Sequence, residues 1–342
     1  MMRCPEFRYF APDTVEEVVK ILAEEGPRAS LLGGGTDLVP NMKRRQQTPA
    51  VLVATRRVKE LHNVENDATS ARLGSGITLA RIAASPTLRP WSALVRAAAQ
   101  VATPHIRNTG TLGGNLCVDT RCNYYDQSYE WRKAIDFCMK KDGGVCWVAP
   151  GSPRCWAVSS TDCAPALIAL DAQVELVSKG QTRIVPVAQL YNDDGIEYLA
   201  RRPDELIASV RLGDPTGWRS TYWKLRRREA FDFPVLSVAA AVKLEGDRVV
   251  EARVVFGAVA SRPVVADVSA LIGNRLDDAS IERVADSASK LAKPLDNTDF
   301  TLGWRKRVAK AYVSGALKEL RGDDLETLGL LARRQSMLRV LS

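Results

Sequence analysis

The chain lacks the features that would direct it into or across a membrane. Its N-terminal stretch, MMRCPEFRYFAPDT, contains no apolar core of the kind found in secretory signal peptides. No apolar run approaches the length of about 20 residues that a transmembrane helix requires. The sequence therefore predicts a cytoplasmic protein that does not bind a membrane.

Histidine is scarce, and so are the signatures of nucleic-acid binding. The chain has two histidines and a net charge of +8, but no RNP-like or zinc-finger pattern. Its basic residues are spread along the chain, which favours a generally basic surface. His105 lies in a Gly-rich stretch, yet a single His is more often packed or solvated than catalytic. We expect no nucleic-acid partner and no catalytic histidine.

Cysteine is scarce outside one window, since six of the seven cysteines lie between Cys117 and Cys163. Disulfides are rare in the cytoplasm, so clustered thiols favour a metal site or catalysis. Spacings of 15, 7 and 8 residues separate the central four, which match neither C-x₂-C zinc modules nor the ferredoxin pattern. Four thiolates can hold zinc or a [4Fe-4S] cluster, and spacing alone leaves both open, besides unligated packing. These four are Cys122, Cys138, Cys146 and Cys155.

The order of predicted elements indicates an α+β chain of more than one part. In the first half, short strands alternate with helices, as in PDTVEEVVKILAEEG, where Thr14 is the predicted N-cap, Glu17 completes a capping box and Gly26 ends the helix. From about residue 172 the pattern changes to strands, with a hairpin turn at EGD, and then to helices at about 279–293, 303–320 and 323–340. We expect a first domain at 1–178, a second with an antiparallel sheet at 179–290, and a helical tail at 291–342.

Two Gly-rich motifs are candidate binding loops. LLGGGTDLVP, residues 31–40, places three glycines after a predicted strand, and the backbone N–H groups of such a loop suit phosphate. It fits neither the Rossmann nor the Walker pattern. TPHIRNTGTLGGNL, residues 103–116, is rich in Gly and small polar residues that can surround a polar ligand. Either motif alone is also compatible with an ordinary turn or surface loop.

In this order, LLGGGTDLVP, IRNTGTLGGNL and SSTDCAPALIALDAQVEL resemble the FAD-binding subunits of the molybdenum hydroxylases, the relatives of xanthine oxidase and carbon monoxide dehydrogenase. The resemblance covers residues from about 6 to 290. It implies a two-part, PCMH-type FAD-binding domain, with the flavin between it and a C-terminal α+β domain. The FAD contacts that it implies are Leu31, Leu32, Gly33, Gly34, Gly35, Thr36, Asp37, Leu38, Ala102, Gly110, Thr111, Gly114, Asn115, Asp162 and Lys224.

The segment YWKLRRREAFDF resembles a family segment of the form K-x-x-x-R-x-x-x-D beside the flavin. The resemblance assigns Lys224, Arg228 and Asp232 to that segment. For Arg226 and Arg227 we expect a solvated basic face instead.

The distance from Asn115 to Asp162 is 47 positions, whereas most of the family covers it in about a dozen. We call the excess, at about residues 120–157, the cysteine insertion. It resembles the iron–sulfur insertion of the 4-hydroxybenzoyl-CoA reductase branch, and exported aldehyde oxidases of the family also carry one. The resemblance implies a [4Fe-4S] cluster, for which we expect the four cysteines of the insertion as ligands. Cys117 and Cys163 belong to the flavin scaffold at either root, so we expect packed thiols there.

In the resembled enzymes a low-potential donor such as ferredoxin reduces the cluster, and electrons pass through FAD and [2Fe-2S] centres to molybdenum. The implied partners are a molybdopterin-binding large subunit, a [2Fe-2S] small subunit and ferredoxin, in a dimer of heterotrimers. No catalytic residue is expected in this chain, since it has neither a recognisable molybdenum-cofactor site nor plant-type [2Fe-2S] spacing. Two alternatives remain: the FAD subunit of a hydroxylase that oxidises aldehydes or N-heterocycles, and a zinc-stapled binding protein without redox activity.

Overall fold

The computed structural model describes residues 3–228, 230–332 and 335. Within these residues the strands form three sheets. The first is parallel, with β3 between the other two strands, and it consists of β1 (Arg8–Phe10), β2 (Ala29–Leu32) and β3 (Val51–Ala54).

The second and third sheets are antiparallel. The second has the order β4-β5-β8-β6-β7 and consists of β4 (Val64–Asn66), β5 (Ala71–Gly74), β6 (Gln173–Ser178), β7 (Gln181–Pro186) and β8 (Leu206–Leu212). The third has the order β12-β11-β10-β9 and consists of β9 (Trp218–Leu225), β10 (Leu236–Glu245), β11 (Arg248–Gly257) and β12 (Val264–Val265). The predicted EGD turn joins β10 to β11.

The expected domain boundary near residue 178 lies between two paired strands. β6 pairs with β7 on one side and with β8 on the other, and β8 continues the sheet to β5. Alternating side chains predict a strand such as β6, but they do not reveal that β8 pairs with it and continues the sheet to β5. We therefore propose that the first domain extends through β8 and that the second begins at β9.

Helix α1 (Val15–Glu25) packs on the first sheet through its buried Val18, Val19 and Leu22. Its ends follow the sequence prediction closely. Thr14 Oγ1 accepts the N–H of Glu17 at 3.2 Å, and Gly26 ends the helix at a φ of 55°. The Glu17 carboxylate, however, accepts the N–H of Asp13 and not that of Thr14, so the expected capping box is displaced by one residue.

Seven shorter helices follow in the first domain and the cysteine insertion. Two of them, α4 and α8, pack against the third sheet and against each other, which joins the two halves of the chain. The seven are α2 (Leu38–Lys43), α3 (Leu79–Ala83), α4 (Ser92–Ala99), α5 (Pro104–Thr109), α6 (Leu112–Leu116), α7 (Tyr129–Ala134) and α8 (Cys163–Ala169).

Two long helices, α9 (Asp278–Ser289) and α10 (Leu302–Arg321), cover the third sheet, where the sequence pattern predicts helices. Of the third helix expected there, residues 330–332 and 335 are helical. The rest of its second half, 333–334 and 336–342, lies outside the described residues. Among the helices that the structure describes, none is long and apolar enough to cross a membrane.

The cysteine insertion leaves the scaffold and returns to it at one point. Arg121 and Val158 form an isolated antiparallel bridge, with both N–H···O=C hydrogen bonds at 2.8 Å. The two roots of the insertion are therefore neighbours in space, although 36 residues separate them in the chain.

Candidate functional site

The two Gly-rich loops meet beside a cavity of about 400 Å³. The first loop runs from the end of β2 to α2, and the second joins α5 to α6. A Cβ on Gly34 would collide with the carbonyl oxygen of Thr109, and one on Gly33 would lie 2.9 Å from Thr111 Oγ1. The glycines of the first loop therefore allow the two loops to touch.

The first loop has the properties of an anion site. The backbone N–H groups of Gly34, Gly35 and Thr36 donate no hydrogen bond within the described part of the chain. Gly35 has a φ of 70°, in the left-handed region. Successive N–H groups in such a turn form a concavity that binds anions, so the loop fits a pyrophosphate.

The second loop is fixed by hydrogen bonds to its own helix and to the segment before α8. Thr111 Oγ1 accepts the N–H of Gly114 at 3.1 Å. Asn115 Oδ1 accepts the hydroxyl of Thr161 at 2.8 Å and the N–H of Cys163 at 3.0 Å. The side-chain amide nitrogen of Asn115, Nδ2, has no partner among the described residues, which leaves it available to the cavity.

Every residue that the sequence resemblance assigns to FAD lines this cavity, with the exception of Lys224. Lys224 lies behind the wall with a fully buried side chain, and its Nζ is 3.0 Å from the Asp162 carboxylate. The same Nζ donates to the carbonyl of Gln100 at 3.1 Å, while the hydroxyl of Tyr222 donates to Asp162 at 2.6 Å. The structure thus places Lys224 as a support for Asp162.

Burial dominates the electrostatics of this pair. It raises the pKa of Asp162 and lowers the pKa of Lys224, while the attraction between the two charges opposes both shifts. Removing one partner would leave the other buried and uncompensated, which makes the pair costly to break.

Phe231, Asp232 and Phe233 line the cavity from a loop that follows β9. Phe231 has a φ of 71° and donates its N–H to the carbonyl of Ala102, which has a φ of 41°. Asp232 forms an ion pair with Arg228 at 2.5 Å. Burial would raise the pKa of Asp232, but the hydrogen bonds from Arg228 outweigh it and lower the pKa. The pairing therefore holds a carboxylate beside the cavity.

Arg227 follows the expectation of a solvated basic face, whereas Arg226 does not. Arg227 is exposed, as expected of a solvated face. Arg226 differs, because it is half-buried and donates to the Gln100 carbonyl at 3.1 Å. His105 is exposed on α5 and does not line the cavity.

Sequence reasoning missed several polar residues of the cavity, among them Arg44, Arg121, Tyr198 and Arg201. Arg121 forms ion pairs with Asp37 and, at 3.0 Å, with Asp126. Burial raises the pKa of Asp37, and Arg121 opposes that shift. Arg121 could have been found from its position directly before Cys122. Tyr198 and Arg201 could not, because they lie in a loop without a motif.

Buried polar atoms of the cavity wall remain without partners. Arg121 and Arg201, which both line the cavity, each have a buried Nε that makes no hydrogen bond within the described residues. Buried polar groups normally have partners, so these atoms are suited to a polar ligand.

A second, small pocket is lined by all four cysteines of the insertion. They are buried and form no disulfide. Burial raises the pKa of Cys122 to about 12 and of Cys155 to about 11, so both remain thiols until a metal displaces the proton. Soft thiolate donors suit zinc or iron–sulfur clusters. Among the described residues, no three Cys, His, Asp or Glu side chains are grouped so that they could hold a single metal ion.

The other two cysteines of the window lie elsewhere. Cys163 is fully buried in α8, within the main core of the first domain, and burial raises the pKa of its thiol. Cys117 packs against the same core and lines the large cavity. The structure thus separates the insertion cysteines from the scaffold cysteines.

Comparison with known families and proteins agrees with this geometry. Residues 5–215 match the model of the FAD binding domain in molybdopterin dehydrogenase, and residues 220–320 match the CO dehydrogenase flavoprotein C-terminal domain. The aldehyde oxidoreductase FAD-binding subunit PaoB of Escherichia coli (strain K12) is 32% identical over 275 residues, covering 75% of this chain and 82% of that relative. The carbon monoxide dehydrogenase medium chain of Afipia carboxidovorans is 25% identical over 316 residues, covering 91% and 96%.

Solved structures show the same fold. Reconstituted CO dehydrogenase from Oligotropha carboxidovorans superposes with a TM-score of 0.77 at 24% identity, covering 94% of this chain and 100% of the other. Quinoline 2-oxidoreductase from Pseudomonas putida 86 superposes with a TM-score of 0.73 at 24% identity, covering 94% and 99%. The chain therefore belongs to the FAD-binding subunits of the molybdenum hydroxylase family.

Proposed function

We propose that this chain is an electron-transfer subunit that carries FAD in the large cavity and a [4Fe-4S] cluster on the four insertion cysteines. The observation that carries the proposal is that two consecutive residues line the two sites. Arg121 lines the large cavity, and Cys122, the next residue, lines the cysteine pocket. Two redox groups so placed are separated by a short stretch of protein.

The polar groups of the large cavity fit the pyrophosphate and other polar parts of FAD. The free N–H groups of the first loop are suited to the pyrophosphate, and Asn115 on the second loop and Asp162 before α8 offer further polar contacts. Tyr222 and Lys224 hold the orientation of Asp162. FAD, when bound, supplies one- and two-electron exchange, whereas an iron–sulfur cluster exchanges single electrons.

The holoenzyme that we propose is of the 4-hydroxybenzoyl-CoA reductase type. In it, ferredoxin supplies electrons to the cluster, and FAD passes them to a [2Fe-2S] subunit and a molybdopterin-binding subunit, within a cytoplasmic dimer of heterotrimers. The support is the cysteine insertion, whose sequence resembles that branch, together with the position of its four cysteines around one pocket.

A second candidate is an aldehyde-oxidising complex, in which electrons flow from substrate through FAD. The 32% identity to the FAD-binding subunit of an aldehyde oxidoreductase favours it. Both candidates share the flavin site and the partner classes, and they differ in the substrate of the large subunit and in the direction of electron flow.

The native complex, purified without oxygen, is expected to contain this chain together with a molybdopterin-binding and a [2Fe-2S] subunit. Its visible spectrum should show flavin, and its electron-paramagnetic-resonance spectrum should contain a [4Fe-4S] signal beside the [2Fe-2S] signals. Consumption of 4-hydroxybenzoyl-CoA with a low-potential reductant supports the first candidate, and aldehyde-dependent dye reduction supports the second. Stoichiometric zinc with no [4Fe-4S] signal would contradict the cluster assignment.

Gly114→Ala is expected to weaken FAD binding about tenfold or more, which corresponds to about 1.4 kcal/mol. The added Cβ meets one described atom, Thr111 Oγ1 at 3.0 Å, and otherwise occupies space at the cavity wall. Gly213→Ala is the matched control, since its Cβ meets nothing within 4 Å. Flavin fluorescence titration of both apoproteins measures the effect, and equal affinities would remove Gly114 from the flavin site.

A further inference from the structure

We propose that Lys140 fixes a positive charge at the wall of the cysteine pocket and raises the reduction potential of the cluster held there. The inference rests on the proposed function, because it assumes a cluster on the four cysteines. It assigns a role to a buried ion pair that neither the flavin site nor the cysteine ligands require.

The ammonium group of Lys140 is held in one position. Its side chain is 6% exposed and lines the cysteine pocket, two residues after Cys138. Nζ donates to Asp119 Oδ1 at 2.8 Å, to Thr120 Oγ1 at 2.7 Å and to the carbonyl of Gly195 at 2.7 Å. All three ammonium protons are therefore engaged.

The counter-charge of Lys140 is Asp119, which does not line the cysteine pocket, whereas Lys140 does. The other carboxylate oxygen of Asp119 accepts the hydroxyl of Tyr125 at 3.0 Å and the amide of Gln47 at 2.9 Å. The pair is thus a fixed dipole, of which Lys140 and not Asp119 borders the pocket.

The same ammonium lies in the wall between the two sites. Its Nζ is 4.8 Å from the ring centroid of Tyr125, which lines the cysteine pocket. It is 5.6 Å from the ring of Tyr198, which lines the large cavity. Lys140 is therefore a charged group of the layer through which electrons would pass from one site to the other.

Reduction adds one negative charge to a cluster that four thiolates already make negative. A fixed positive charge nearby stabilises the reduced form more than the oxidised form, and burial limits the screening of that interaction by water. The charge and hydrogen-bonding environment of an iron–sulfur cluster is a recognised determinant of its potential. Lys140 is therefore a positioning residue for the redox reaction and not a ligand.

The test is a redox titration of the native complex, with the cluster signal followed by electron paramagnetic resonance. Lys140→Met removes the charge and keeps most of the side-chain length. At a fixed ambient potential we expect the ratio of reduced to oxidised cluster to fall tenfold or more, a shift of about 59 mV to more negative potential for one electron. Lys140→Arg keeps the charge and should remain near the wild-type potential.

Lys141→Met is the matched control. Lys141 directly follows Lys140, but it is partly exposed, pairs with Asp142 and does not line the pocket. A double variant, Lys140→Met with Asp119→Asn, avoids an unpaired buried carboxylate and should also shift the potential downward, because it removes the whole dipole. Iron and FAD content are measured for each variant.

Four outcomes separate the possibilities. A downward shift in Lys140→Met or the double variant, absent in Lys141→Met, supports the proposal. Full iron content with the potential of Lys141→Met overturns it, as does loss of iron with retained FAD in both variants, which would make Lys140 a structural support. If the wild-type complex has no [4Fe-4S] signal, it is the proposed function that fails.

Discussion

Cys138→Ser protein is expected to lose nearly all the iron of the proposed [4Fe-4S] cluster while keeping most of its FAD. Serine oxygen is a hard donor that does not replace a soft thiolate at iron–sulfur clusters. The cysteine pocket is separate from the large cavity, so the flavin loops should persist. Iron per FAD in the purified chain measures the effect. The same result is expected for serine variants of Cys122, Cys146 and Cys155.

Cys163→Ser and Cys117→Ser are the controls for this series. Both residues pack against the main core and not in the cysteine pocket. The buried hydroxyl at position 163 should lower stability by about 1–3 kcal/mol, yet iron per FAD should stay at the wild-type ratio. If Cys117→Ser empties the cluster while Cys122→Ser leaves it full, the ligand set is wrong.

Lys224→Met should destabilise the chain by about 3–5 kcal/mol and weaken FAD binding, because it leaves the Asp162 carboxylate buried without its partner. The double variant with Asp162→Asn should recover much of the stability, since neither charge then remains alone. Its affinity for FAD reports separately whether the flavin requires the carboxylate itself. Urea unfolding gives the stability of each variant, and flavin fluorescence titration gives its affinity for FAD.

Arg227→Met is the comparison for Lys224. Arg227 is 68% exposed and lies 3.7 Å from Asp299, which is also exposed, so its loss should change stability by less than about 0.5 kcal/mol. Equal urea midpoints for Lys224→Met and Arg227→Met would show that the buried pair does not stabilise the fold.

The parts of the site that the sequence predicts are those encoded locally. Three glycines after a strand require a turn whose backbone is open to a ligand, and their neighbours Thr36 and Asp37 come with them. The cysteines of the insertion are likewise visible as a group of residues in one segment. Each of these signals is contained within a few tens of residues.

What the sequence could not predict depends on contacts between distant segments. β8 has two partners, β6 and β5, and its pairing with β5 through Ala71 and Leu212 joins positions some 140 residues apart. Lys224 lies in the segment where the sequence resemblance expects it, but its side chain supports Asp162 from behind the cavity wall. This position results from the packing of β9 against α8, which the local sequence does not show. Tyr198 and Arg201 reach the cavity from a loop whose local sequence indicates nothing about its neighbours.

The antiparallel bridge between Arg121 and Val158 gives the cysteine insertion the architecture of an exchangeable module. Insertions are best tolerated where the chain leaves and re-enters a domain at neighbouring points, because the host then keeps its own contacts. Asn115 also joins the two sides of this gap through Thr161 and Cys163, so the flavin scaffold is closed beneath the insertion. A flavoprotein built this way can acquire or discard such an insertion in a single genetic step, without redesign of its nucleotide-binding loops.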